Sequence, residues 1–173
     1  MIRRLAAGVF ASLAFCGCGG QAEQRGAATI EMVDLHKLEG VLASHRGHAV
    51  LLNLWATWCG PCVDELPDLI EVARAYRERG AVVLLLSYDL QIPEANAQAI
   101  VPRVKRFIDN KGFDVPVLVY DAPNPDAINE RFDLPGHIPV TLAFDKDGRL
   151  VDREDGEAGK ERFEELMKHA LGI

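Results

Sequence analysis

Long apolar runs recur along the chain, separated by polar segments, at lengths typical of buried β-strands. The clearest runs are residues 50–55, 81–87 and 115–120. A continuous apolar run of this length is expected where a strand is covered on both faces of a sheet. Shorter patterns bounded by turn residues add three more strands. We therefore predict strands at residues 29–33, 50–55, 81–87, 115–120, 139–144 and 149–153.

Apolar residues at helical spacing predict helices between these strands. The helices are expected at residues 34–44, 60–79, within 91–112, at 125–132 and at 159–171. Asp34 is a suitable N-cap for the first helix, and Gly80 is a suitable stop for the second. Pro67 should bend the second helix, because proline lacks a backbone N–H and crowds the preceding turn. Pro102 fits the first turn of the third helix.

The alternation of strands and helices places the chain in the α/β class. A strand, a helix and a second strand in this order form a βαβ unit with a right-handed crossover and parallel strands. Residues 145–148 form a glycine-containing turn, which predicts that the last two strands are an antiparallel hairpin. We predict one domain, residues 29–173, with a central mixed sheet flanked by helices. A helix–strand insertion lies in the middle, and a hairpin and a helix close the chain.

The first 28 residues differ from the rest. Two arginines precede an apolar run over residues 5–15, a pattern typical of a secretory signal and too short to span a bilayer. The segment that follows resembles the cleavage box of bacterial lipoproteins, in which a small residue precedes a lipidated cysteine. Cys18, which follows Gly17, is the candidate for lipidation. We predict a lipoprotein-type signal peptide at 1–17 and a linker at 18–28.

This leader also predicts where the domain works. It indicates export to the periplasmic side of a membrane, with lipid on Cys18 as the anchor. The alternative is an ordinary cleaved signal, which leaves a soluble periplasmic protein.

Composition and charge narrow the classes of partner. Apolar residues make up 49% of the chain and charged residues 26%, as expected for a globular domain rather than a disordered one. The net charge is −7 at pH 7. An acidic chain without a basic stripe along its sequence does not favour a nucleic-acid partner, because phosphates require many lysines and arginines.

The cysteines are the strongest chemical signal. Two of the four lie in the leader, so the predicted domain keeps only Cys59 and Cys62. They lie where a buried strand gives way to a helix, and a helix N-terminus stabilises a thiolate over a thiol. A zinc site needs a further ligand pair. No second cysteine pair is present, and the histidines at 36, 45, 48, 137 and 169 lack ligand spacing. A purely structural disulfide would close a very small loop and contribute little stability.

Two stretches of sequence resemble a known family. Residues 52–62 read Leu-Asn-Leu-Trp-Ala-Thr-Trp-Cys-Gly-Pro-Cys and are followed by Glu65 and Pro67; residues 136–141 and 144–148 form a second signature. Together they are similar to the thioredoxin superfamily, and to its membrane-tethered TlpA/ResA-like branch. The resemblance spans residues 29–172 and implies a thioredoxin-like fold.

The resemblance implies a role for each matching residue and requires no cofactor. Cys59 is expected to be the nucleophile that attacks a substrate disulfide, and Cys62 the thiol that resolves the mixed disulfide. Pro139 is expected to follow a cis peptide bond beside the sulfurs, where the backbone can pair with a substrate strand. The rim on which substrate docks is expected to consist of Trp58, Gly60, Pro61 and Ile138.

Two positions near the cysteines affect how the thiols are expected to exchange protons. Thioredoxin has a buried aspartate where this chain has Asn53, and an amide cannot accept a proton at neutral pH. The tethered branch often has a glutamate at the position of Glu65. Glu65 either tunes the thiols and relays their protons or is a surface residue favoured by the helix dipole. The Gly-Pro pair between the cysteines matches thioredoxin, whose potential is about −270 mV, and so favours a reductant.

The expected partners follow from the same resemblance. They are disulfide-bearing exported proteins as substrates, a membrane reductant as electron donor, and the membrane itself through the lipid. Cytochrome c assembly and copper-protein maturation are the usual tasks of the branch.

Two other functions fit the sequence less well. A copper chaperone of related fold usually spaces its cysteines by three residues; the spacing here is two, although His137 precedes Pro139. A peroxidase needs a threonine and a proline around a lone cysteine, an arrangement that residues 55–58 do not supply.

Overall fold

The computed structural model describes residues 28–173. The predicted signal peptide, the predicted lipidation site Cys18 and nearly all of the linker lie outside these residues. The strands are β1 (Ile30–Val33), β2 (Ala49–Trp55), β3 (Ala81–Ser87), β4 (Val117–Tyr120), β5 (Val140–Phe144) and β6 (Leu150–Asp155). The helices are α1 (Leu35–Ser44), α2 (Gly60–Tyr76), α3 (Ala97–Lys111), α4 (Asp126–Phe132) and α5 (Lys160–Leu171).

The strands form one mixed six-stranded sheet in the order β1-β4-β3-β2-β5-β6. The first four strands of the chain are parallel to one another, whereas β5 is antiparallel to both of its neighbours, β2 and β6. The carboxyl ends of β1 to β4 therefore lie together at one edge of the sheet, called here the carboxyl edge. β2 and β3 begin at the opposite edge, called the amino edge, whereas β1 and β4 begin level with Leu85, nearer the carboxyl end of β3. This architecture confirms the predicted fold class.

Local capping explains where the helices begin and end. The carboxylate of Asp34 accepts a hydrogen bond from the backbone N–H of Lys37 at 2.8 Å and caps α1, as predicted. Gly80 has a φ of 78°, a left-handed conformation that favours glycine, and it ends the segment after α2. Before Gly80, residues 77–79 tighten into a 3₁₀ turn, so α2 is three residues shorter than predicted.

The prediction for Pro102 is wrong. We expected this proline in the first turn of α3, but α3 begins five residues earlier at Ala97. The side chain of Asn96 caps the helix by accepting from the N–H of Ala99 at 3.0 Å. The helix therefore begins after the Asn96 cap, and it tolerates Pro102 in its interior. The bend expected at Pro67 stays a prediction, although α2 continues through that residue.

The core lies on both faces of the two central strands. All seven residues of β2 are buried, and six of the seven in β3. On one face α2 and α5 pack against each other, α2 also against β3 and α5 also against β2. Trp55, at the end of β2, is fully buried, and its ring centroid lies 5.3 Å from that of Phe107 in α3. This packing holds the end of β2 rigid at the point where the cysteine motif follows.

Candidate active site

The two cysteines lie at the carboxyl edge, at the start of α2. Cys59 is the N-cap residue of the helix, and its Sγ accepts the backbone N–H of Cys62 at 3.3 Å. Unpaired N–H groups at a helix start stabilise negative charge on an acceptor. The two sulfurs are joined in a disulfide. Cys59 is 7% exposed and Cys62 is fully buried, so Cys59 is the sulfur nearer to solvent.

The predicted proline lies beside the sulfurs. The Ile138–Pro139 peptide bond is cis, and the carbonyl oxygen of Ile138 lies 4.0 Å from Cys59 Sγ. The side chain of Trp58 is 51% exposed and presents a large apolar surface beside the reactive sulfur. Of the predicted docking residues, Gly60 and Pro61 are exposed in the first turn of α2.

A cleft of about 380 Å³ opens directly beside Cys59. Trp58 and Ile138 line it, as expected of docking residues, whereas Gly60 and Pro61 do not. The complete lining is Trp58, Cys59, Tyr88, Gln91, Pro125, Asn129, Gly136, His137 and Ile138. The cleft carries no fixed charge, so it suits an uncharged or apolar part of a substrate.

Four residues of this cleft were not predicted from the sequence: Tyr88, Gln91, Pro125 and Asn129. Tyr88 directly follows β3, whose carboxyl end lies next to that of β2 in the sheet. That adjacency is a usable signal, because carboxyl ends of neighbouring parallel strands meet at one edge. The amide of Gln91 donates to the carbonyl oxygens of Tyr120 and Ala122, which fixes one wall of the cleft.

A small buried polar cluster lies near the pair. The Nδ2 of Asn53 donates to Glu65 Oε1 at 2.7 Å and to Thr141 Oγ1 at 2.9 Å. The other oxygen of Glu65 accepts the N–H of Ala158 at 2.9 Å. Glu65 is buried, so the surface interpretation of this residue is wrong. Burial raises the pKa of Glu65 to about 7, and the two hydrogen bonds only partly oppose this rise.

A second buried carboxylate anchors the segment before Cys59. Asp89 is fully buried and accepts from the N–H of Thr57 at 2.9 Å, from the Thr57 hydroxyl and from the Ser87 hydroxyl at 2.8 Å. Arg103 of α3 pairs with it at 2.8 Å. Thr57 lies two residues before Cys59, so Asp89 ties the active-site loop to β3 and α3.

The histidines are spread over the molecule. His137 lines the cleft, whereas His45 and His48 line a separate cavity at the amino edge. Among residues 28–173, no group of three or more His, Cys, Asp or Glu side chains is arranged to hold a metal ion. Within the same residues, no helix is both long enough and apolar enough to cross a bilayer.

Comparison with known proteins agrees with this geometry. The family model described as Redoxin matches residues 28–168. The chain belongs to the redoxin family. The thiol-disulfide oxidoreductase ResA of Bacillus thuringiensis is 32% identical over 139 residues, which cover 79% of this chain and 72% of that protein. The ResA protein of Geobacillus kaustophilus is 29% identical over 137 residues, covering 79% and 71%.

Solved structures of redoxin-like proteins match as well. A thiol:disulfide interchange protein of the thioredoxin family from Chlorobium tepidum aligns with a TM-score of 0.62 and 29% identity, covering 75% of this chain and 84% of its own. The exposed lipoprotein thioredoxin of Streptococcus pneumoniae aligns with a TM-score of 0.57 and 26% identity, covering 73% and 88%.

The family and the site together settle the class of reaction. This redoxin is a TlpA/ResA-like member of the thioredoxin superfamily, as the sequence predicted. With a Cys59–Cys62 pair at the helix start, it is an enzyme, a thiol–disulfide oxidoreductase. Its substrates are disulfide-bearing molecules.

Proposed function

We propose that this redoxin reduces disulfides in exported proteins while it is tethered to a membrane by lipid on Cys18. The observation that carries the proposal is the difference between the two sulfurs. Cys59 lies at a helix start beside an open cleft, and Cys62 is buried behind it. Only the first sulfur is within reach of a protein-sized substrate.

The chemistry proceeds in two exchanges. The thiolate of Cys59 attacks one sulfur of the substrate disulfide, that bond breaks, and one substrate sulfur leaves as a thiolate. The thiolate of Cys62 then attacks Cys59 Sγ and releases the second substrate sulfur. Two electrons have moved to the substrate, whose two thiolates take up protons. The enzyme is left with the Cys59–Cys62 disulfide, which a membrane reductant must reduce again.

The surroundings of Cys59 support a polypeptide substrate. The Ile138 carbonyl oxygen lies 4.0 Å from Cys59 Sγ, where it can accept a hydrogen bond from a substrate backbone. Trp58 and Ile138, which both line the cleft, offer apolar contact. We expect this surface, with Gly60 and Pro61 at its rim, to bind an extended segment around the substrate cysteine.

The site of action is proposed from the leader. The lipoprotein-like box around Cys18 favours a tether, with the domain on the periplasmic side. The structurally similar pneumococcal protein is named an exposed lipoprotein, which supports the same arrangement here.

Glu65 is proposed to govern the protonation of the thiols. It lies three residues after Cys62 on α2, a spacing that places two side chains on the same helix face. With a pKa of about 7, its carboxyl group changes charge near neutral pH. The neutral form can coexist with a thiolate, and the ionised form can accept the proton of the resolving thiol.

We expect Glu65→Gln to lower the pH at which the reduced thiols become reactive. Above pH 7 the wild-type carboxylate is ionised, and a nearby negative charge raises a thiol pKa. Glutamine stays neutral, so the alkylation curve of the variant should lie roughly half a pH unit or more below that of wild type. The measurement is the rate of iodoacetamide alkylation between pH 5 and pH 9. Identical curves would show that Glu65 does not act on the thiols.

The direction of electron flow is a separate prediction. Because the Gly-Pro pair between the cysteines matches thioredoxin, we expect a reduction potential near −270 mV. Equilibration with glutathione buffers of known ratio, followed by alkylation and mass analysis, measures this value. A potential near −120 mV, typical of a strong oxidant, would reverse the proposed direction.

A further inference from the structure

The predicted tether joins the domain at β1, the outermost strand on one side of the sheet. Ile30, at the start of β1, lies level with Leu85 in β3 and Asn53 in β2, so the described chain begins near the middle of these strands and not at the amino edge. Cys59 follows the carboxyl end of β2. Strand β2 has seven residues, which span about 23 Å.

The tether alone does not fix the orientation of the domain. The predicted linker, residues 18–28, can extend to at most about 40 Å at full stretch. That length exceeds the distance along the sheet, so either edge could rest on the membrane. Any preferred orientation must come from the surface of the domain.

Unpaired basic residues concentrate at the amino edge. Most described lysines and arginines form ion pairs with carboxylates. Within residues 28–173, those that form none are Lys37, Arg46, Arg79, Arg106, Lys111 and Lys146. All except Lys37 and Arg106 lie in the turns and helix ends of the amino edge.

These residues are neighbours in space as well. The N–H of Gly47, next to Arg46, donates to the carbonyl oxygen of Lys146 at 2.8 Å. The N–H of Ala49 donates to the carbonyl oxygen of Gly80, the residue after Arg79, at 3.0 Å. The segments that carry Arg46, Arg79 and Lys146 are thus joined by backbone hydrogen bonds, whereas Lys111 lies at the end of α3. We call Arg46, Arg79, Lys111 and Lys146 the basic rim.

The helix dipole accounts for only part of this rim. Lys111 ends α3, where a cation favourably faces the partial negative charge of the carbonyl groups, and Arg46 directly follows the C-cap of α1. Lys146 lies in the turn between β5 and β6 instead. Of the acidic residues near the rim, Glu39 pairs with Arg131 and Asp145 accepts two backbone N–H groups of its own turn, whereas Glu78, next to Arg79, is exposed and forms no ion pair with any described residue.

The carboxyl edge has the opposite charge. Exposed acidic residues surround the region of the cleft, among them Asp64, Asp121, Asp126 and Glu157. An anionic surface therefore attracts the amino edge and repels the edge that carries Cys59. Lipid headgroups with a net negative charge form such a surface, and each lysine or arginine close to it adds to the attraction.

We propose that the basic rim docks on anionic phospholipid headgroups of the membrane to which the chain is tethered, so that Cys59 faces away from the bilayer. This inference rests on the proposed tether through Cys18. Its consequence for function is that substrates approach from the aqueous side rather than from within the membrane plane.

Energy transfer from the protein to the membrane surface tests this orientation. The mature lipidated chain, with Cys59 and Cys62 in their disulfide, receives one donor dye on a new cysteine. Ile173→Cys places it near the amino edge, and Ala127→Cys near the carboxyl edge; both positions are exposed and uncharged. Vesicles of phosphatidylcholine, with or without phosphatidylglycerol, carry an acceptor dye on the headgroups.

On phosphatidylglycerol vesicles we expect at least about twofold more transfer from residue 173 than from residue 127, and no difference on pure phosphatidylcholine. Salt at 1 M should remove the difference, because it screens exposed charges. Equal transfer from both positions on anionic vesicles overturns the proposal. Failure of the chain to float with either kind of vesicle instead refutes the tether itself.

Charge reversal supplies the matched control. Arg46→Glu with Lys146→Glu should reduce the docked population roughly tenfold on anionic vesicles. Lys37→Glu with Arg106→Glu changes the net charge equally, also at unpaired exposed residues, and should leave docking nearly intact. Equal loss in both double variants would show that total charge, and not the basic rim, holds the domain to the surface.

Discussion

Replacing Cys59 with serine should lower the rate of protein-disulfide reduction at least ~1,000-fold. Serine has nearly the same shape, but its hydroxyl does not ionise at neutral pH and is a far weaker nucleophile than a thiolate. Cys62 cannot take over the attack, because its side chain is fully buried behind Cys59. Reduction of a model protein disulfide, with dithiothreitol as electron source, measures the loss.

The partner variant has a different expected result. Cys62→Ser keeps the attacking thiol but cannot resolve the mixed disulfide, so complexes with substrates should accumulate. Non-reducing electrophoresis and mass spectrometry of membrane extracts would detect them and name the substrates. The double variant, in which both cysteines are serine, is the control and should trap nothing. If Cys59→Ser trapped more partners than Cys62→Ser, the assigned roles of the two cysteines would have to be exchanged.

Removal of Asp89 should cause the largest loss of stability among single polar substitutions near the site. Its carboxylate is fully buried and accepts hydrogen bonds from Thr57 and Ser87, while Arg103 pairs with it. Asp89→Ala leaves buried donors without acceptors, and we expect a decrease of about 3 kcal/mol in the free energy of unfolding. Urea unfolding of the oxidised protein measures this change.

Asp109→Ala is the matched control for this effect. Asp109 also pairs with a basic residue, Lys105, but both side chains are about half exposed. Surface pairs at this helical spacing contribute about 0.3–0.5 kcal/mol. The reductase activity of Asp89→Ala should fall as well, because Thr57 holds the segment that positions Cys59. Similar stability losses in the two variants would mean that the buried network has no special role.

The fold could be predicted largely from local patterns. Buried strands such as β2 and β3 are long apolar runs, and Asp34 and Gly80 mark helix ends through short-range hydrogen bonding and a left-handed φ. Pro102 shows the limit of this approach. Proline at the start of a helix is a tendency, whereas the side chain of Asn96 supplied a cap six residues before Pro102.

The reactive pair could also be predicted from sequence, since a Cys-X-X-Cys segment at a strand-to-helix junction needs only local structure to present a thiolate. The cleft and the protonation of Glu65 could not be predicted from the sequence. The partners of the Asn53–Glu65 cluster come from residues that are 88 and 93 positions away along the chain.

Local sequence therefore sets which atoms react, because a helix start stabilises a thiolate whatever the rest of the chain does. Tertiary structure alone decides how those atoms exchange protons and which edge of the domain faces its surroundings. A pKa depends on how completely distant segments exclude water from a carboxyl group, and a basic rim arises only when loops far apart in sequence are brought together by the sheet.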